Sequence, residues 1–270
     1  MHSMNIVNHY DAFADRSGEG NPAAIVEHDH PVGRDVAAAI SREIGAPMTA
    51  LIDHQLPNEP PPAPDYPALS MRWYDFTGTP AHLCGHATLA AATHYLGVYG
   101  TPTVQFHTPT GWIRADRWHR GARFDLPATR PTPTSVDPVV RSLLPSDTGN
   151  VLTGRDDALI AVVPPSRLAD LALDLEALAA TGLTAIGFTS TAENFDYQCR
   201  WFNLTPSPAE DPVTGSAHIQ IAPYWAAEKP RPVQLRGRQI SRRPVTVHCT
   251  VNHEKTVTIA GNCTHSYDVK

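Results

Sequence analysis

The sequence predicts an α/β chain built from two similar halves. Three observations point there. Short apolar runs with strand character alternate with segments of helical period. A proline-rich tract, ATRPTPTSVDP (Ala128 to Pro138), divides the chain near its middle. On each side of that tract a polar, glycine-containing turn runs straight into an alanine-containing helical stretch.

The elements follow in order. MNIVNHYDAFA opens as a strand, with apolar Ile6 and Val7 and aromatic Tyr10 and Phe13. SGEGNPAAIVEH reads as a turn and a second strand. Asp35 to Ile44 repeats apolar residues at helical spacing (Val36, Ala39, Ile40, Ile44), and Gly45 with Pro47 stops it. TALIDHQ and ALSMRWYDF read as strands on either side of the proline-rich loop NEPPPAPDYPA. Thr103–His107 and Gly111–Ala115 form a strand pair. After the central tract, strands are expected at Ala158–Val163 and Ala185–Thr189, with one helix, Ser166–Ala180, between them. A strand at Gln198–Phe202, a helix at Ala217–Glu228 and strands at Val233–Arg236, Val245–Val251 and Thr256–Ile259 complete the reading. The domains are drawn at 1–127 and 128–255, with the tail 256–270 packing back on the first.

Composition narrows the function class. The chain has 270 residues and a net charge of −6, with 41% hydrophobic residues. Mild acidity and scattered Lys and Arg argue against nucleic acid or a membrane surface as partner. No apolar run reaches the ~18–20 residues of a membrane span. The start lacks a basic region followed by an apolar stretch, so a cytoplasmic protein is expected. Four cysteines, Cys84, Cys199, Cys249 and Cys263, make no disulfide framework in a chain of this length.

The chemistry concentrates in the two turns, FTGTPAHLCGHATLAAA and AEDPVTGSAHIQIAPYWA. Helix starts carry unpaired backbone N–H groups and a positive partial charge. Two such ends would clamp a carboxylate without an arginine. A histidine and an aspartate beside the clamp could move protons on the adjacent carbon. Taken singly, each turn has a plain structural explanation: Asp or Ser before a helix is usually an N-cap, and Cys on an alanine-rich helix is usually a small core residue. Their recurrence in both halves points to function.

LCGHATLAAA and EDPVTGSAH, in that order, resemble the paired signatures of the PhzF-like isomerase family (phenazine biosynthesis PhzF). GNPAAIV, from Gly20 to Val26, is similar to that family's N-terminal signature, and LRGRQI to its late strand. The resemblance implies the diaminopimelate epimerase-like fold: two similar domains, each a sheet wrapped around a central helix, with the active site in the cleft between them. It implies a homodimer, no cofactor, and proton transfer that moves a double bond in a small unsaturated carboxylic acid of secondary metabolism. Antibiotic assembly is one such setting. Carried over by position, His86, Asp211 and Ser216 take the catalytic places. Gly85, Thr214 and Gly215 take substrate-binding places, as do Met48 and Thr49. The family usually holds a catalytic glutamate in a Ser-Glu-Thr segment; here GAPMTALI sets Met48 in its place. The apolar thioether would raise the pKa of a nearby carboxyl, which suits Asp211 as acid and base.

Three rivals are weighed. An accessory protein of the same fold would bind a carboxylate without turning it over, and the missing glutamate favours it. An amino-acid racemase of this fold needs two cysteines; Cys84 sits where one would be, but Thr214 and Ser216 offer no second thiol. Cys84 then reads as a packed small residue. A metal at His82, Cys84 and His86 lacks a remote Cys/His pair with zinc spacing.

Overall fold

The computed structural model describes residues 7–28, 30–253 and 255–266. Ile6, part of the expected first strand, and the last four residues of the tail lie outside them. The chain divides into two compact units, Met1–Asp125 with Ala260–Lys270, and Leu126–Ile259.

The first unit begins with β1 (Val7–Ala12) and β2 (Asn21–His28), antiparallel neighbours. Gly20, at φ +63, ends the turn between them, and a Cβ there would lie 2.1 Å from the Ala12 carbonyl oxygen. This is the physical requirement behind the glycine of GNPAAIV. Helix α1 (Arg34–Ile44) crosses to β3 (Met48–Asp53), which runs parallel to β2. Next come β4 (Ala68–Asp75), antiparallel to β3, and the two-residue β5 (Pro80–Ala81) folded back on it. Helix α2 (Gly85–Tyr99) then crosses to β6 (Thr103–Thr108), parallel to β4. Strands β7 (Gly111–Trp118) and β8 (Gly121–Pro127) follow as a meander. Much later in the chain, β17 (Thr256–His265) pairs with both β1 and β8 and closes the sheet into a ring.

Helix α2 is the centre of that ring. It packs against β1, β2, β3, β6 and β7, and every residue from Gly85 to Ala92 is buried. A helix apolar on all sides has nowhere else to go. Helix α1 is amphipathic and covers the outer face, where Ala37 packs with Val26, Leu51 and Tyr74.

The second unit repeats the plan. Short β9 (Thr132–Pro133) and helix α3 (Pro138–Leu143) precede β10 (Val151–Thr153) and β11 (Leu159–Val162), an antiparallel pair. Helices α4 (Pro165–Ala169) and α5 (Leu175–Ala179) cross to β12 (Ala185–Ser190), parallel to β11. Strand β13 (Tyr197–Asn203) is antiparallel to β12, and β14 (Ala209–Glu210) folds back on it. Helix α6 (Gly215–Trp225) crosses to β15 (Val233–Gln239), parallel to β13, and β16 (Val245–Val251) follows. Strand for strand, the pairings match those of the first unit. The match extends to sequence: Met71-Arg72-Trp73-Tyr74-Asp75 in β4 answers Cys199-Arg200-Trp201-Phe202-Asn203 in β13.

The structure departs from the sequence reading in several places. The single helix expected over Ser166–Ala180 is two, because the Asp174 carboxylate accepts the Ala177 N–H and starts a new helix. Helix α6 ends at Trp225, before the expected Glu228. Its internal Pro223 cannot bond the Ile219 carbonyl, and the Thr129 N–H takes that acceptor instead. Strands β8 and β10 and helix α3 went unforeseen, and β17 runs six residues beyond Ile259 to His265.

Candidate functional site

The mouth of α2 is built from Cys84, Gly85 and His86. Cys84 occupies the N-cap in extended conformation (φ −139, ψ 107), and its side chain caps nothing. Its Sγ lies 3.3 Å from His86 Nδ1. Among the described residues, no acceptor faces the N–H groups of Gly85 and His86. These two donors and the helix dipole make a small anion-accepting surface. Burial pushes the His86 imidazole down to about 4, so it is neutral at physiological pH. A neutral imidazole carries one donor and one acceptor nitrogen, the state required of a proton carrier.

Strand β3 presents its two predicted residues differently. Leu51 packs with Ala37 of α1. By alternation Thr49 shares that outer face, and Met48 lies on the face turned to α2. The Thr49 hydroxyl is buried without a hydrogen-bond partner among the described residues. The two acids near Met48 in sequence are placed elsewhere: Glu43 is exposed on α1, and Asp53 is ion-paired to Arg72 at 3.1 Å. The register reveals a third acid that sequence spacing hid. Asp75 stands directly opposite Met48. Its Oδ1 accepts from the Thr77 and Thr79 N–H groups and the Thr77 hydroxyl, which makes it the brace of that turn. His82 is exposed while Cys84 and His86 are buried, and no cluster of three or more metal-ligating side chains occurs among the described residues.

The mouth of α6 is built from Asp211, Thr214, Gly215 and Ser216. Thr214 is the N-cap, extended like Cys84 (φ −122, ψ 98) and equally without a side-chain cap. Its hydroxyl donates to Asp211 Oδ2 at 2.6 Å. No acceptor faces the Gly215 and Ser216 N–H groups among the described residues. Asp211 follows β14 directly, and β14 is held by the bidentate pair of Arg200 with Glu210 at 2.7 and 3.0 Å. The Asp211 N–H donates to the Trp201 carbonyl.

The model of the phenazine biosynthesis-like PhzC–PhzF family matches residues 10–268. The chain belongs to this family. Among its relatives is an uncharacterized isomerase of Pseudomonas aeruginosa, 33% identical over 92% of this chain and 91% of the relative. A human phenazine biosynthesis-like domain-containing protein is 31% identical over 80% and 81%. A solved PhzF family structure from Enterococcus faecalis matches with a TM-score of 0.82 and 26% identity, covering 97% of this chain and 96% of that one. A structure described as a probable proline racemase from Agrobacterium radiobacter, at TM-score 0.61 and 12% identity over 97% and 91%, shares the fold. The PhzC–PhzF assignment and the epimerase-like fold therefore stand together. No helix among the described residues is long and apolar enough to cross a membrane.

Proposed function

We propose that this chain is a cofactor-independent isomerase that shifts a double bond in a small unsaturated carboxylic acid by proton transfer. The observation that carries this reading is the pair of uncapped helix starts. Each offers two N–H groups without an acceptor among the described residues, and each has a titratable side chain nearby in the chain, His86 in one and Asp211 in the other. In the α6 mouth the Gly215 and Ser216 N–H groups would hold a carboxylate, with Asp211 as proton carrier and Ser216 and Thr214 lining the reacting part; in the α2 mouth the Gly85 N–H would take the same binding role and His86 that of proton carrier. Met48 stands where the family usually carries a glutamate, so the proton work falls on His86 and Asp211. The substrate class assigned is a cyclic or conjugated secondary metabolite, to which Met48 would offer an apolar contact.

Incubation of conjugated dienoic acids, with and without an amino group, in deuterated water tests this. Deuterium built into carbon positions is the expected result. Binding of those acids without any incorporation would favour the accessory carboxylate-binding protein, the reading that Met48 supports.

A further inference from the structure

Gln239 closes β15 and is fully buried. Its carboxamide grips the turn that leads into α6 from behind. Oε1 accepts the Thr214 backbone N–H at 2.9 Å. Nε2 donates to the Asp211 carbonyl at 2.8 Å and reaches the Thr214 hydroxyl oxygen at 3.4 Å. The two ends of the Asp211–Thr214 turn are thus held by one side chain. With Thr214 fixed, its hydroxyl points at Asp211 Oδ2. An N-cap threonine ordinarily spends that oxygen on the first-turn N–H groups of its own helix. Here it is turned away from them.

The orientation of the amide is set by these partners. His218, on α6, is buried; burial holds its imidazole down to about 4 and so neutral, against a smaller upward influence of the Gln239 side chain. Tyr197 Oη lies 2.6 Å from His218 Nδ1. Burial holds the Tyr197 phenol well above its usual range, so it stays protonated and donates. The imidazole Nε2 lies 4.0 Å from Cys199 Sγ. One donor, the Thr214 N–H, meets Oε1, and one carbonyl, that of Asp211, meets Nε2; a flipped amide would oppose both. Gly237 keeps room for this stack, since a Cβ there would lie 2.4 Å from the Tyr197 ring.

We infer that Gln239 is the positioning residue of the α6 mouth: it holds the Asp211–Thr214 turn so that the Thr214 hydroxyl serves Asp211 and the Gly215 and Ser216 N–H groups stay open for a carboxylate. The inference rests on the proposed role of Asp211, but its geometry can be tested apart from turnover. Gln239→Met keeps the side-chain volume and removes every hydrogen bond. Exchange of the Asp211 and Thr214 amides is expected to quicken at least tenfold in Q239M. The carboxyl carbon resonance of Asp211 is expected to titrate at higher pH, since the donor to its ionised form is loosened. If deuterium enters a dienoic acid with the native protein, kcat in Q239M should fall about tenfold or more. Should Q239M not fold, Tyr197→Phe removes only the phenol donor and should quicken the same amides about threefold. Unchanged exchange and an unchanged Asp211 titration in the folded variants would overturn the inference. If the native protein exchanges no substrate hydrogen while the turn still loosens in Q239M, the positioning stands and the enzymatic reading fails.

Discussion

The mouths of α2 and α6 are twins in backbone and opposites in chemistry. Both N-caps are extended, within about 20° of each other in φ and ψ, both are followed by glycine, and neither side chain caps its helix. At α2 the cap is a thiol in contact with a neutral imidazole. At α6 the cap is a hydroxyl given to a carboxylate, with a buried polar network behind it. The difference teaches that the repeated fold supplies the same uncapped helix start twice, while the titratable side chain near it differs in kind and in place, His86 two residues after one cap and Asp211 three before the other.

The comparison breaks hardest at the two residues proposed as proton carriers. His86→Gln and Asp211→Asn should each lower deuterium incorporation about 10²–10⁴-fold, the usual worth of a positioned acid or base. A pH–rate profile unchanged by Asp211→Asn would remove Asp211 from the chemistry. Next in size is stability against acid. His86 and His218 sit near 4 in the folded chain against 6.5 when free, so between those values the unfolded chain binds more protons. Stability is therefore full above about pH 6.5 and is lost as pH falls toward 4, by up to about 3 kcal/mol for each imidazole. Denaturant unfolding at pH 7.5 and 4.5 measures it, and His86→Gln should flatten the dependence by the share of one imidazole. A smaller effect is expected of Thr214→Val, which removes the donor to Asp211 and should slow exchange about tenfold while raising the Asp211 titration. The smallest is Cys84→Ala. Its contact with His86 is worth little, and activity should fall less than threefold; total loss would revive the racemase reading.

Much of this was legible in the sequence because both turns are contiguous. Gly85 and His86, and Asp211 to Ser216, stand beside one another in the chain, and a local motif carries its own geometry. The alternation of strands and helices also survived, since buried central helices leave long apolar runs. What was hidden depends on register. Gln239 reaches Thr214 across 25 residues, and Asp75 meets Met48 across an antiparallel pair. The split at Asp174 was hidden for a different reason: apolar Leu168, Leu171, Leu175 and Leu178 keep a helical rhythm through the break, while one carboxylate restarts the backbone. The likeness of β4 to β13 showed itself only once matching strands had been identified by their pairing.

Strand β17 begins among the residues of the second unit and ends among those of the first. There it pairs with β1 and β8 to close the ring around α2. During synthesis, the half that emerges first is therefore the half that is finished last. Its central helix must wait, with one wall missing, until the whole second half has left the ribosome. The newborn chain spends that interval with α2 incompletely enclosed, a stage at which its apolar surface would be exposed to chaperones.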